Sequence, residues 1–90
     1  MIRIGSHEFD WVSYDEVGDV LYLSKGEPVA ARDTLASPEG HAVRLDQSGE
    51  VVGLTLVNAR WLVEREGEIT VTVPERLTAG SEDLAEALAR

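Results

Sequence analysis

The sequence predicts a mainly β, α+β domain: an antiparallel β-meander of about six strands with a short connector helix and a C-terminal helix. Two hairpin signals and one alternating run carry that prediction. The run Tyr14-Asp15-Glu16-Val17-Gly18-Asp19-Val20-Leu21-Tyr22-Leu23 places a polar, glycine-containing turn between strand-like residues. Leu45-Asp46-Gln47-Ser48-Gly49-Glu50-Val51-Val52-Gly53-Leu54 repeats the design. In Glu68-Ile69-Thr70-Val71-Thr72-Val73 the apolar residues alternate strictly, which puts Ile69, Val71 and Val73 on one face.

Taken in order, residues 9–14 read as a strand from Phe9, Trp11 and Val12, broken by the turn 15–19. Residues 20–24 form the next strand, and Lys25-Gly26-Glu27-Pro28 ends it. A weaker strand over 29–35 suits a sheet edge, because its alanines and charges alternate poorly. Ser37-Pro38-Glu39-Gly40 is a turn signal before a strand over 41–46. Residues 51–57 make a half-buried strand, with Val52, Leu54 and Leu56 on one side and Gly53 and Thr55 on the other. Asn58 is placed to cap a helix that Gly67 stops within about two turns. Pro74 ends the strand over 68–73, and Ser81, with acids behind it and Leu84 and Leu88 four residues apart, opens a terminal helix with one apolar stripe.

At Tyr14-Asp15, Asp19-Val20-Leu21-Tyr22, Leu45-Asp46, Gly49, Val51-Val52-Gly53-Leu54 and Asn58-Ala59 the chain resembles the small bacterial family DUF2283. The likeness runs from about 9 to 61 and implies a small antiparallel β domain with no assigned activity and no catalytic residues to carry over. Residues 68–90, a strand and a helix, lie outside it. The expected organisation is one domain over 1–90, since two separate cores would each be too small.

Seventeen acids against eight bases give a net charge of −9, a field that repels phosphate backbones and disfavours direct nucleic-acid binding. The absence of cysteine excludes disulfides, thiolate zinc sites and a cysteine nucleophile. No run of 18 apolar residues suggests a membrane span and the N-terminal segment lacks a signal-peptide core, so a cytoplasmic protein is expected.

Asp15, Asp19 and Asp46 are the candidate metal ligands, with Glu16 and Glu50 beside them, provided the two acidic turns meet in space. The competing reading is that these acids bond the backbone of their own turns. Neither His7 nor His41 has a neighbour at ligand spacing, and surface positions are expected for both. No serine sits in a nucleophile elbow, and the glycines are scattered one per break rather than gathered into a phosphate cradle. Gly53 alone lies inside a strand, which marks a bulge or the close approach of a backbone or of an aromatic ring. Trp11, Tyr14, Tyr22 and Trp61 read as core anchors, with Trp61 the one expected to be partly exposed.

No catalytic residue and no cofactor are expected. The functional expectation is a small acidic interaction module without enzyme activity, either a homodimer or a binder of a basic or apolar protein partner, an antitoxin-like role being one form of it. Arg60, Trp61, Leu84 and Leu88 are the expected interface residues. The alternative is a small-ligand or divalent-metal-binding protein that uses the acidic turns.

Overall fold

The computed structural model describes residues 1–28 and 33–88. A short hairpin opens the chain: β1 (Ile2–Ile4) pairs antiparallel with β2 (His7–Phe9), their alternating residues Ile2, Ile4, His7 and Phe9 all buried. A five-stranded antiparallel sheet follows, built from β3 (Trp11–Asp15), β4 (Val20–Ser24), β5 (Asp33–Ala36), β6 (Ala42–Leu45) and β7 (Val51–Val57). After it come helix α1 (Ala59–Glu66), a second hairpin of β8 (Glu68–Val71) and β9 (Leu77–Gly80), and helix α2 (Ser81–Leu88).

The mainly β, antiparallel class and both helices are as the sequence predicts; the strand order is not that of a meander. It runs β3-β4-β7-β6-β5, so the chain leaves β4, re-enters at the opposite edge and returns through two hairpins to lay β7 against β4. The longest strand, with Leu54 and Leu56 on its inner face, thereby gains a partner on both sides. The weak strand expected over 29–35 begins, among the described residues, at Asp33 and lies at an edge as expected; residues 29–32 fall outside the described part.

Leu21, Leu23, Val43, Leu54 and Leu56 share one face of the large sheet and join a single core with Ile4, Phe9, Ile69, Val71, Leu77 and Leu84 from the small hairpins and α2. Hydrophobic transfer at roughly 25 cal/mol per Å² makes this one layer of contacts the main source of stability. Phe9, fully buried, is the aromatic centre of it. Of the four further aromatics expected as anchors, half-buried Tyr14 packs against this core and Trp61 is 53% exposed, in line with its expected partial exposure; the expectation is corrected for Tyr22, which is 40% exposed, while Trp11 is half-buried. Small β-branched and Leu side chains already fill the space between layers, which leaves the larger rings at its margins.

Two backbone details set the turns. Gly67 adopts a left-handed conformation (φ 81°) and returns its N–H to Val63 O at 2.9 Å, closing α1 where the sequence predicts. Gly53 sits opposite Arg44 just before a register shift between β6 and β7, so the expected bulge is present. The group lying over it is the Arg44 side chain rather than an aromatic ring: a Cβ at position 53 would stand 2.8 Å from Arg44 Nη1 and 3.1 Å from Leu23 O.

Candidate functional site

Asp19 is the centre of a polar node that ties the β3–β4 turn to the start of α1. Asn58, expected as the cap, is itself left-handed (φ 58°) and makes no side-chain cap bond. The orphan amides of the helix are satisfied from about forty residues away in sequence. Asp19 Oδ1 accepts from Arg60 N at 2.8 Å, Oδ2 accepts from Trp61 N at 3.1 Å, and the Asp19 carbonyl accepts from Ala59 N at 3.1 Å. Tyr14 Oη donates to the same carboxylate at 2.7 Å.

This geometry sets the titration of both partners. Burial alone would raise the Asp19 carboxyl, but the Tyr14 hydroxyl, the two amides and the Arg60 charge outweigh it and hold the group below the ordinary aspartate value. Tyr14 moves the other way, raised by burial first and then by its bond to the anionic Asp19.

The other two candidate ligands are engaged in their own turns. Asp15 Oδ1 accepts from Val17 N and Gly18 N at 3.1 and 3.2 Å. Asp46 Oδ1 accepts from Ser48 N, Ser48 Oγ and Glu50 N at 2.7 to 3.0 Å. Those bonds, the Ser48 hydroxyl first, lower its carboxyl. The register also separates the turns. Val20 pairs with Val57 at one end of β7 and Leu45 with Val51 at the other, so about six residues of strand, roughly 20 Å, lie between them. Asp15 and Asp19 therefore share no site with Asp46, and among the described residues no group of three or more His, Asp or Glu is placed to hold a metal.

The expected interface residues also divide. Leu84 and Leu88 are 0% and 6% exposed and belong to the chain's own core, so of the two expected placements of the stripe, on the chain's own sheet or on another subunit, it is the first that holds, and their assignment to an interface is corrected. The stripe on α2 is satisfied by the sheet hairpins it packs against. Arg60 is half-buried: its guanidinium donates to Leu88 O and lies 5.3 Å from the Tyr14 ring centroid, joining α1 to the end of α2. Trp61 is exposed, as expected, with the Arg65 guanidinium 5.0 Å from its ring centroid.

Both histidines, expected at the surface, are buried. His7 sits between Lys25 Nζ (2.9 Å from Nδ1) and Glu75 Oε2 (3.3 Å from Nε2), a chain that links β2, the end of β4 and the β8–β9 loop. His41 Nδ1 accepts from Val57 N at 3.0 Å. Ser37 Oγ, the hydroxyl close by, accepts from the His41 backbone amide rather than pairing with the ring, so the two do not form a nucleophile and base. Sequence reasoning missed these placements because each depends on partners distant in the chain. The alternation Ile2, Ile4, His7, Phe9 was the available signal for His7.

The second face of the large sheet is different in kind. Cross-strand pairing puts Trp11, Ser24, Gly53, Arg44 and Thr34 in one row, Ser13, Tyr22, Thr55, Ala42 and Ala36 in the next, and Asp15, Val20 and Val57 in a third. Among the described residues of these rows Arg44 and the corner residue Asp15 are the charged members, in a chain where 28% of residues are charged. The hairpins and helices share their core with the opposite face. A shallow groove of about 270 Å³ runs over this face between Trp11, Tyr22, Ser24, Pro28, Arg44 and Thr55.

Fold and surface together define a small acidic β domain with structural carboxylates and a second sheet face that, among the described residues, is poor in charge. The family model described as "Protein of unknown function (DUF2283)" matches residues 11–60, and the chain belongs to that family. The match covers the five-stranded sheet and the Asp19 node except Trp61, and it ends as α1 begins. No match was found among curated proteins or among solved structures. No helix among the described residues is long and apolar enough to cross a membrane.

Proposed function

We propose that this domain is a protein-interaction module without enzyme activity, and that it self-associates through the open face of the five-stranded sheet. The observation that carries this reading is the composition of that face. A solvated sheet face is ordinarily rich in charge, whereas this one carries Trp11, Tyr22, Val20 and Val57 among alanine, serine and threonine. A second copy is the occupant that suits it best, because two copies of a chain of charge −9 approach at least cost where each presents few carboxylates, here Asp15 at a corner among the described residues.

Five strands about 4.8 Å apart and five residues deep give a footprint of roughly 400 Å² per copy. That is below the roughly 800 Å² per partner of a standard interface, so the dimer is weak and concentration-dependent. Light scattering across a concentration series tests it. The mass rises above 9.8 kDa for the unaltered chain and stays there for Tyr22→Glu, which adds a charge at the centre of the face. A mass of one chain at every concentration refutes self-association.

A further inference from the structure

We infer that a second binding site, independent of the sheet face, lies between the β5–β6 turn, α1 and β8 and takes a lysine or arginine residue of a partner polypeptide. It is a shallow cavity of about 220 Å³ lined by Glu39, His41, Leu62, Glu66, Glu68, Ile69 and Thr70. Leu62 and Ile69 supply apolar wall for an alkyl stem. The three glutamates are exposed around it, Glu66 in an ion pair with Arg65 at 3.6 Å, and the C-terminal turn of α1 adds the negative end of the helix dipole, which favours a cation. Glu39 is fixed in place by Thr72 Oγ1, which donates to it at 2.9 Å.

The acids alone would be an ordinary solvated patch; His41 makes the place a site. Its residue is 4% exposed. Its Nδ1 is occupied as an acceptor from Val57 N, which assigns the ring proton to Nε2 in the neutral form. Among the described residues Nε2 has no partner, yet no solvent-inaccessible side-chain nitrogen or oxygen lacks one. Nε2–H therefore meets solvent, and His41 is one of the residues that line the cavity. Burial also lowers the ring's titration, against the opposing charge of Glu39, which favours the neutral donor form.

The ligand chemistry follows from these parts. A metal at Nε2 is disfavoured, because a ligating imidazole donates its other N–H to an acceptor, whereas here Nδ1 receives an amide. The recognition set is instead a donor, an apolar wall and several carboxylates. It matches a molecule that joins a hydrogen-bond acceptor to a cation through a methylene chain, as the carbonyl and side chain of a peptide-borne arginine or lysine do.

Titration of the full chain with N-acetyl-arginine-amide, followed by the His41 imidazole and Ile69 methyl NMR signals, tests the site. Saturable shifts at both are expected, with N-acetyl-norleucine-amide giving none. The triple variant Glu39→Gln, Glu66→Gln, Glu68→Gln weakens the interaction at least about fivefold. A charge-matched control, Glu16→Gln, Glu82→Gln, Glu86→Gln, removes acids that do not line the cavity and leaves it unchanged. No saturable shift, equal response to norleucine, or equal loss in the control overturns the inference. The sheet face takes no part in this titration, so either proposal can fail while the other stands.

Discussion

Replacing Asp19 by alanine removes a side chain that serves three donors on two elements. The carboxylate accepts from Tyr14 Oη, Arg60 N and Trp61 N, all between 2.7 and 3.1 Å. Loss of an N-cap costs about 1 kcal/mol and loss of the tyrosine bond about 1 more. Asp19 is also left-handed (φ 56°), where alanine is strained by about a further 1 kcal/mol. The expected loss for Asp19→Ala is about 3 kcal/mol, a large share of the roughly 5 to 15 kcal/mol that holds a domain folded. Asp19→Asn keeps an acceptor and tolerates the left-handed backbone, so it costs about 1 kcal/mol. Urea unfolding followed by Trp11 and Trp61 fluorescence measures both, as a fall in midpoint with an unchanged slope. If alanine and asparagine both lie within about 0.5 kcal/mol of the unaltered chain, the carboxylate is not the cap and the reasoning fails.

Other expected outcomes follow from the same contacts. His41 has a lowered folded-state pKa, so the unfolded chain binds the proton more readily. Its contribution is complete above the ordinary imidazole range and declines as pH falls through about 6.5. Urea midpoints against pH show this decline, and His41→Asn, which keeps an acceptor for Val57 N, removes it. Asp19, also lowered in the folded state, adds a second loss below about pH 4 that is absent in Asp19→Asn. Gly53→Ala forces a Cβ to 3.1 Å from Leu23 O, a backbone atom in a paired strand; thermal unfolding registers about 1 to 3 kcal/mol of destabilisation. Leu84→Ala costs about 2 to 5 kcal/mol in the same assay while leaving self-association intact at temperatures where the variant is folded.

The parts of the fold legible in the sequence are those decided locally. Residues 20–24, 51–57 and the helix closed by Gly67 emerge at the expected bounds, because alternation and a left-handed stop are properties of a few adjacent residues. The hairpin of β1 and β2 escaped because three-residue strands offer too little alternation to count, and β9 because Ala79 and Gly80 are poor strand formers. The strand order escaped because it depends on β7 finding β4 across the chain. The same divide runs through the sites. Asp15 and Asp46 bond their own turns, as one reading of the sequence held, whereas the capping role of Asp19 and the burial of His7 and His41 rest on partners 16 to 68 residues away.

Binding of a second copy to this sheet face is read residue by residue in amide NMR spectra recorded through a dilution series. Concentration-dependent shifts are expected at Ser13, Tyr22, Ala42 and Thr55, which form one row across that face, with Leu84 and Ala85 on α2 unmoved. Spectra that do not change with concentration, or shifts confined to α2, would contradict it.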